Sequence, residues 1–508
     1  MSAAEAARCR CVLHLLGDGK SYYHASTSPD VATRGRVGGA RSTCVNWIWE
    51  SATSGRRRVG HHRKRCAHTR PVALAGQRLM AALRPEAAWF HDAKLGIMIS
   101  WGLYSIPGWA PVDPRLTQSL GGEVSAPGGA FAHQSPLATT SYAEWYANSM
   151  ALVGSPTWFY HQARWPTRSY DSFRTEFERA AADVDVSAWS DLAAASGARY
   201  VVPLAKHHDG YLLYPSRVES PFRRDFFLGR DLIGELRTAT LDAGLRFGVY
   251  YSGGIDWTAA GLPISSTEEI GRNRESGTFW PAGYGEYALQ HFLEIVERYR
   301  PSILWNDIGY PESGDAGRLI EEFRRVVPDG VINDRIRHSA SDFDTPEYNV
   351  AGLSDKKWEL SRGVGLSYGF NRDEGPKETL TGPQLVRLLV DVVGQGGNLL
   401  LGVGPDENGA IPAIQRESLI ALGDWLSFNG AAIYGSDPDR NRQVIPGVTW
   451  TIASGRRFAI VDGPMWTPPS ATDVHSTAAL DPRTTVEHTS DGPRFSNTSG
   501  YPFVVEMS

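Results

Sequence analysis

Five short stretches of this 508-residue chain gather side chains able to do chemistry. They are Ser100-Trp101-Gly102, Lys206-His207-His208-Asp209-Gly210, Tyr250-Tyr251-Ser252-Gly253-Gly254, Trp305-Asn306-Asp307 and Asn333-Asp334-Arg335. Each one alone is weak: an Asp after a strand is often a helix N-cap, and a Trp is often ordinary core. Together they repeat one theme, aromatic rings beside imidazoles, carboxylates and amides. That is the equipment of a carbohydrate site, where ring faces cover the C–H faces of a sugar and convergent donors and acceptors meet its hydroxyls. A metal site is the rival reading for His207, His208 and the carboxylates. It is weaker, because no His-x-x-x-His or facial-triad spacing can be assembled from them.

Each stretch follows a short apolar run, and those runs explain how distant residues could meet. Leu95–Ser100, Tyr200–Ala205, Phe247–Tyr251, Ser302–Trp305, Gly330–Asn333 and Asn398–Val403 read as strands buried on both faces. Helical patterns lie between them. In Gly285–Tyr299, Leu289, Phe292, Leu293, Val296 and Tyr299 share one face, Pro383–Val393 is similar, and Ala194–Gly197 reads as a helix end stopped by glycine. Repeated βα units predict an α/β fold, a (β/α)8-type TIM barrel over residues 81–435, with the site at the C-terminal ends of its strands. A doubly wound sheet is the competitor, but no Gly-x-Gly-x-x-Gly or P-loop follows any strand. From 436 to 508 the pattern changes. Val448–Ile452, a turn at Ser454–Arg457 and Phe458–Val461 read as a hairpin, then a Pro/Thr/Ser-rich stretch leads to a last run at Pro502–Glu506. These residues predict a small antiparallel β-sandwich domain.

Composition removes other classes. The chain is 42% hydrophobic and 21% charged, with a net charge of -5, so nucleic acid has no electrostatic claim on it, and no run of about 20 apolar residues suggests a membrane span. The average hides two regions. Residues 1–80 hold 14 Lys and Arg against 4 Asp and Glu, a charge of +10, which leaves 37 against 52, or -15, for the remainder. All four cysteines, Cys9, Cys11, Cys44 and Cys66, lie in the basic segment, so the body has neither a cysteine nucleophile nor a thiolate metal site. The basic run from Arg56 to Arg65 and the Cys/His spacings fit no common zinc or targeting pattern. Residues 1–80 are expected to be a disordered extension or the product of a start codon set too far upstream, with Met80 near the true beginning. The lack of a secretory signal makes the cytoplasm the expected location.

The ordered series Trp89-Phe90-His91-Asp92-Ala93-Lys94-Leu95-Gly96, Ser100-Trp101-Gly102, Glu144-Trp145-Tyr146, Lys206-His207-His208-Asp209-Gly210, Gly248-Val249-Tyr250-Tyr251-Ser252, Trp305-Asn306-Asp307 and Asn398-Leu399-Leu400-Leu401 closely resembles the glycoside hydrolase family 29 α-L-fucosidases. It runs from about Trp89 to Gly435. The resemblance implies a retaining exo-glycosidase that removes terminal fucosyl groups from glycans or glycosides, needs no metal or organic cofactor, and leaves a homo-oligomer open. It implies Asp307 as nucleophile and Glu347, in Thr345-Pro346-Glu347-Tyr348, as general acid/base, with Glu359 of Trp358-Glu359-Leu360 as the alternative. Sugar binding is implied for Glu144, Trp145, His207, His208, Tyr250, Trp305 and Arg335. Arg335 is expected to favour ionised Asp307, while a less polar setting keeps Glu347 protonated.

One position departs from the pattern. Where the family usually has His-Trp-Gly after the first strand, this chain has Ser100-Trp101-Gly102. Ser100 therefore removes an imidazole expected on a fucose hydroxyl, which keeps two alternatives in view: an exo-glycosidase with altered glycone choice, and a non-catalytic sugar-binding relative. The presence of both carboxylates argues against the second.

Overall fold

The computed structural model describes residues 83–112, 137–261, 263–266, 268–269, 280–348, 356–469, 474–490 and 492–507. The expectations for residues 1–80, including all four cysteines, lie outside the described residues.

Seven parallel strands form the central sheet: β1 (Leu95–Ile99), β2 (Tyr200–Lys206), β3 (Arg246–Tyr251), β4 (Ile303–Asn306), β5 (Val331–Ile332), β6 (Glu359–Gly363) and β7 (Asn398–Val403). Their order is β5-β4-β3-β2-β1-β7-β6. Residues 343–347 close the gap between the two edges. Phe343 bridges Asn333 beyond β5, while Asp344 and Glu347 bridge Trp358 and Ser361 of the β6 region. Walking round the ring therefore follows chain order, with 343–347 as an irregular eighth stave, and the expected barrel is present.

The strands sit where the apolar runs predicted them, with one omission. β6 reads Glu-Leu-Ser-Arg-Gly and carries no apolar run, yet all five residues are buried. Glu359 bonds Tyr200 and Trp305, and Ser361 bonds Tyr368, so their burial follows from hydrogen bonding and not from hydrophobicity.

Among the helices of the described residues, α1 (Ser187–Ala195), α2 (Leu232–Asp242), α3 (Tyr284–Tyr299), α4 (Ala316–Val326), α5 (Gly382–Gly394) and α6 (Ala413–Asn429) cover the outside of the sheet. α3 buries Leu289, Phe292, Ile295, Val296 and Tyr299 along one stripe against the sheet. α1 ends just before Gly197, whose φ of +83° lets the chain turn into β2. Trp101 is core: its indole packs on Phe177 and Trp189, with centroids at 4.5 and 5.4 Å.

Beyond the barrel, β8 (Ser436–Pro438), β9 (Val448–Ala453) and β10 (Arg456–Val461) open an antiparallel sheet completed by β12 (Val474–Ala479) and β15 (Phe503–Met507). A second sheet holds β11 (Met465–Trp466), β13 (Thr485–Thr489) and β14 (Gly492–Ser496). The hairpin and last strand match expectation, but the Pro/Thr/Ser-rich stretch is not a plain connection: it contributes four strands, β11 to β14. Ala459, Val461, Phe503 and Val505 of the first sheet pack with Trp466 and Phe495 of the second, as in a sandwich. The alternate residues Phe458, Ile460 and Val504 face the helix layer, where Trp425 of α6 donates its indole hydrogen to Pro502 O at 2.7 Å.

No helix among the described residues is long and apolar enough to cross a membrane, and none of their His, Cys, Asp or Glu side chains group in threes able to hold a metal.

Candidate active site

Loops at the C-terminal ends of the strands line a pocket, open to solvent on one side, with about 420 Å³ of empty space. Ser100, Glu144, Trp145, His207, His208, Tyr250, Trp305, Asp307 and Glu347 line it. Of the sequence-predicted site residues, Arg335 and the alternative acid/base Glu359 are outside the lining; Arg335 stands behind the two carboxylates and bonds both. Met98, Tyr142, Leu204, Ile308, Ser361 and Tyr368 complete the wall and were not foreseen.

Asp307 follows β4 directly. Its Oδ1 accepts from Arg335 Nη1 at 2.5 Å and from the Ile308 amide at 2.7 Å, and its Oδ2 accepts from the Tyr250 hydroxyl at 2.6 Å. Tyr250 and Trp305 are register partners on neighbouring strands, so both point into the barrel, and their rings stack with centroids 5.4 Å apart. Burial, then the Asp307 charge, pushes the Tyr250 phenol well above its ordinary value and keeps it a donor.

The loops after β4 and β5 are locked together by two amides. Asn333 Oδ1 accepts from the Asn306 amide and its Nδ2 donates to Asn306 O, while Asn306 Nδ2 donates to Gly309 O and Arg335 O. This clamp sets Asp307 and Arg335 against each other. Both asparagines were visible at strand ends, but nothing in their spacing announced that they pair.

Glu347 lies on the irregular stave, and its Oε1 accepts from Arg335 Nη2 at 2.6 Å. Arg335 also donates to Thr345 Oγ1 and Thr345 O, and its guanidinium lies 4.6 Å from the Trp305 ring centroid. Burial raises the Glu347 carboxyl above its usual range; the Arg335 charge opposes this and Asp307 adds to it. Arg335 meets Asp307 as expected, and its fork is shared with Glu347, which the sequence did not show.

His207 and His208 are re-aimed by a register shift between Leu204 and Lys206 in the β2–β3 pairing. Below them Lys206 is fully buried and bonds Asp256 Oδ2 at 2.8 Å, and the Trp257 amide donates to His208 O at 2.7 Å. His208 Nδ1 lies 2.6 Å from Ser252 Oγ, whose single hydrogen goes to Ile255 O. His208 Nδ1 must then be the donor, so in the neutral ring Nε2, 3.8 Å from Asp307 Oδ2, is the acceptor. Burial and then the neighbouring His208 hold the His207 ring well below the usual imidazole range. His207 Nδ1 and Ser100 Oγ are buried polar atoms without a hydrogen-bond partner.

Glu144 is 3% exposed, and its Oε2 accepts from Ser367 Oγ and the Gly369 amide, both at 2.9 Å. Burial pushes its carboxyl up to about 7 against those hydrogen bonds. Trp145 packs edge-on to His208 and Trp257. Tyr142, Tyr348 and Tyr368 cluster beside it, with Tyr368 bonded to Ser361. Two residues before Glu144, Tyr142 reads in sequence as ordinary core.

Glu359 is elsewhere. It starts β6 at the end of the barrel remote from the loops, is 0% exposed, and is absent from the cavity wall. Its carboxyl bonds Tyr200 and accepts from Trp305 Nε1 at 3.1 Å, and burial pushes it up to about 7. It has no route to a leaving oxygen, which removes it as the alternative acid/base.

Comparison with known proteins identifies the family. The α-L-fucosidase family model matches residues 75–431. The chain belongs to the α-L-fucosidase family. The tissue α-L-fucosidase of Homo sapiens is 30% identical over 374 residues, 70% of this chain and 71% of that one. The α-L-fucosidase of Dictyostelium discoideum is 28% identical over 398 residues, 74% of this chain and 78% of its own. The crystal structure of Thermotoga maritima α-fucosidase is 35% identical, with a TM-score of 0.66, and the match covers 83% of this chain and 97% of that one. The same enzyme in complex with fucose matches with a TM-score of 0.65 at 34% identity.

Proposed function

We propose that this α-L-fucosidase hydrolyses terminal α-L-fucosyl groups with retention of configuration, using Asp307 as nucleophile and Glu347 as general acid/base. The observation that carries the reading is the pair of carboxyls facing one cavity and joined through a single guanidinium. Retention needs two carboxyl groups about 5–5.5 Å apart with different protonation. The three hydrogen bonds that reach Asp307 all come from donors, as suits an acceptor carboxylate, while burial favours the protonated form of Glu347.

In the first half-reaction an Asp307 oxygen forms a bond to the anomeric carbon as the glycosidic C–O bond breaks, and Glu347 gives its proton to the departing oxygen. In the second, Glu347 takes a proton from water, the water oxygen bonds the anomeric carbon, and the ester to Asp307 breaks. Arg335 and Tyr250 hold Asp307 throughout and take back its charge when it leaves. His207, the acceptor face of His208 and Glu144 supply the hydroxyl contacts, and the apolar side of the cavity, Met98 with the tyrosine rings, suits the methyl group of fucose.

A second activity, on a sugar differing from fucose at one ring position, is favoured by Ser100, whose unpartnered hydroxyl lines the cavity. Hydrolysis of a panel of aryl glycosides tests both. Turnover of the α-L-fucoside alone supports the first reading, comparable turnover of another glycoside supports the second, and turnover of none contradicts both.

A further inference from the structure

Beneath the carboxylate pair lies a buried chain of contacts that none of the proposed chemical steps uses. Its lowest member is Glu359, whose two carboxylate oxygens are divided between Tyr200 and Trp305. Tyr200 reaches it across the barrel interior because residue 96 is glycine: a Cβ there would stand 2.0 Å from the tyrosine ring. The Trp305 indole N–H donates to Glu359 Oε1 at 3.1 Å and to no other group among the described residues. The indole plane so fixed carries the Tyr250 ring and the Arg335 guanidinium, at 5.4 and 4.6 Å. These two are the side chains that hold Asp307.

We propose that Glu359 is a positioning residue: by fixing the indole of Trp305 it sets the surface on which Tyr250 and Arg335 rest, and through them the aim of Asp307. It touches no substrate and transfers no proton to one. Chemistry that demands near-attack alignment is sensitive to such a support, since a displacement of about 1 Å costs on the order of 100-fold in rate. Sugar contacts from Glu144, His207 and His208 come from other loops, so binding depends on Glu359 far less than turnover does. This inference rests on the fucosidase reading for its kinetics, and on the structure alone for the contact.

The test uses the full chain with Glu359→Leu, Glu359→Gln, Trp305→Phe and the Leu/Phe double variant. Glu359→Leu is expected to lower kcat on an aryl α-L-fucoside by about 10–100-fold with KM changed less than about threefold. Glu359→Gln, which keeps an acceptor for the indole, recovers most of that loss, and azide recovers none of it. The double variant falls no further than the worse single one, because both act through the same contact. The indole N–H resonance missing from Trp305→Phe, read without substrate, shifts in Glu359→Leu and stays near its place in Glu359→Gln. Wild-type kcat in a folded Glu359→Leu, multiplying effects in the double variant, azide rescue, or an unmoved indole resonance each overturns the proposal. If the leucine variant does not fold, a displaced resonance in a folded Glu359→Gln overturns it. A wild-type chain inactive on the fucoside contradicts the fucosidase reading only, since the resonance still reports on the contact.

Discussion

Asp307 and Glu347 are held by opposite terminal nitrogens of one guanidinium, that of Arg335, at 2.5 and 2.6 Å. Two carboxyls that must carry different charges thus share one fixed cation, and the fork geometry sets their spacing. Lysine keeps the charge but cannot span both. Arg335→Lys is therefore expected to lower kcat/KM on an aryl α-L-fucoside by about 10–100-fold, the worth of one charge-assisted hydrogen bond of about 1.5–3 kcal/mol. Steady-state kinetics checks this, and wild-type values would show that the shared fork is dispensable.

The roles of the two carboxyls separate under mutation. Asp307→Ala removes the bond-forming group and should reduce turnover by about 10⁴-fold or more. Glu347→Ala should lose turnover of natural glycosides, retain more on substrates with activated leaving groups, and regain rate with azide, which replaces water without needing a base. A glycosyl azide of retained configuration from the Asp307 variant, or no rescue for the Glu347 variant, would reverse or remove the assignment.

The pH profile follows from the raised carboxyl of Glu347. Glycosyl transfer needs this group protonated, so kcat/KM should be full below its pKa in the folded enzyme and fall as pH rises through it. Raising that pKa by burial moves the fall toward higher pH. In Glu347→Gln the residual kcat/KM for an activated aryl fucoside should lose this basic limb; a limb that persists unchanged belongs to another group.

Ser100 stands where the resembled family pattern usually places histidine. Its hydroxyl is buried in the cavity wall without a partner. Ser100→His should restore a hydrogen bond to a fucose hydroxyl and raise kcat/KM for an aryl α-L-fucoside by about 2- to 12-fold, from roughly 0.5–1.5 kcal/mol. An equal or lower value would mean the pocket has been reshaped around serine.

What could be read in the sequence was whatever a continuous apolar run announces. β1 to β5 and β7 do so, and because a barrel puts its site at strand ends, the His207-His208 and Asp307 loops could be placed with them. β6 could not, since Glu359, Ser361 and Arg362 are buried by hydrogen bonds and packing that only the closed ring provides. Glu347 follows no apolar run, because its stave is held by isolated bridges to both neighbours, and only the family resemblance pointed to it. Tyr142 and Tyr368 escaped notice for the opposite reason: an aromatic residue near a helix start or in a loop has the same local signature whether it fills a core or lines a pocket.

Double displacement requires Asp307 to become covalently bonded to the sugar. A 2-deoxy-2-fluoro-α-L-fucosyl fluoride should let the first step proceed while slowing the second, because the fluorine destabilises both transition states and the fluoride leaves readily. Peptide mapping by mass spectrometry of the treated protein is expected to find one fluorofucosyl group, on the peptide carrying Asp307. An adduct on a different carboxylate, or no adduct from a protein that hydrolyses the fucoside, would contradict the account.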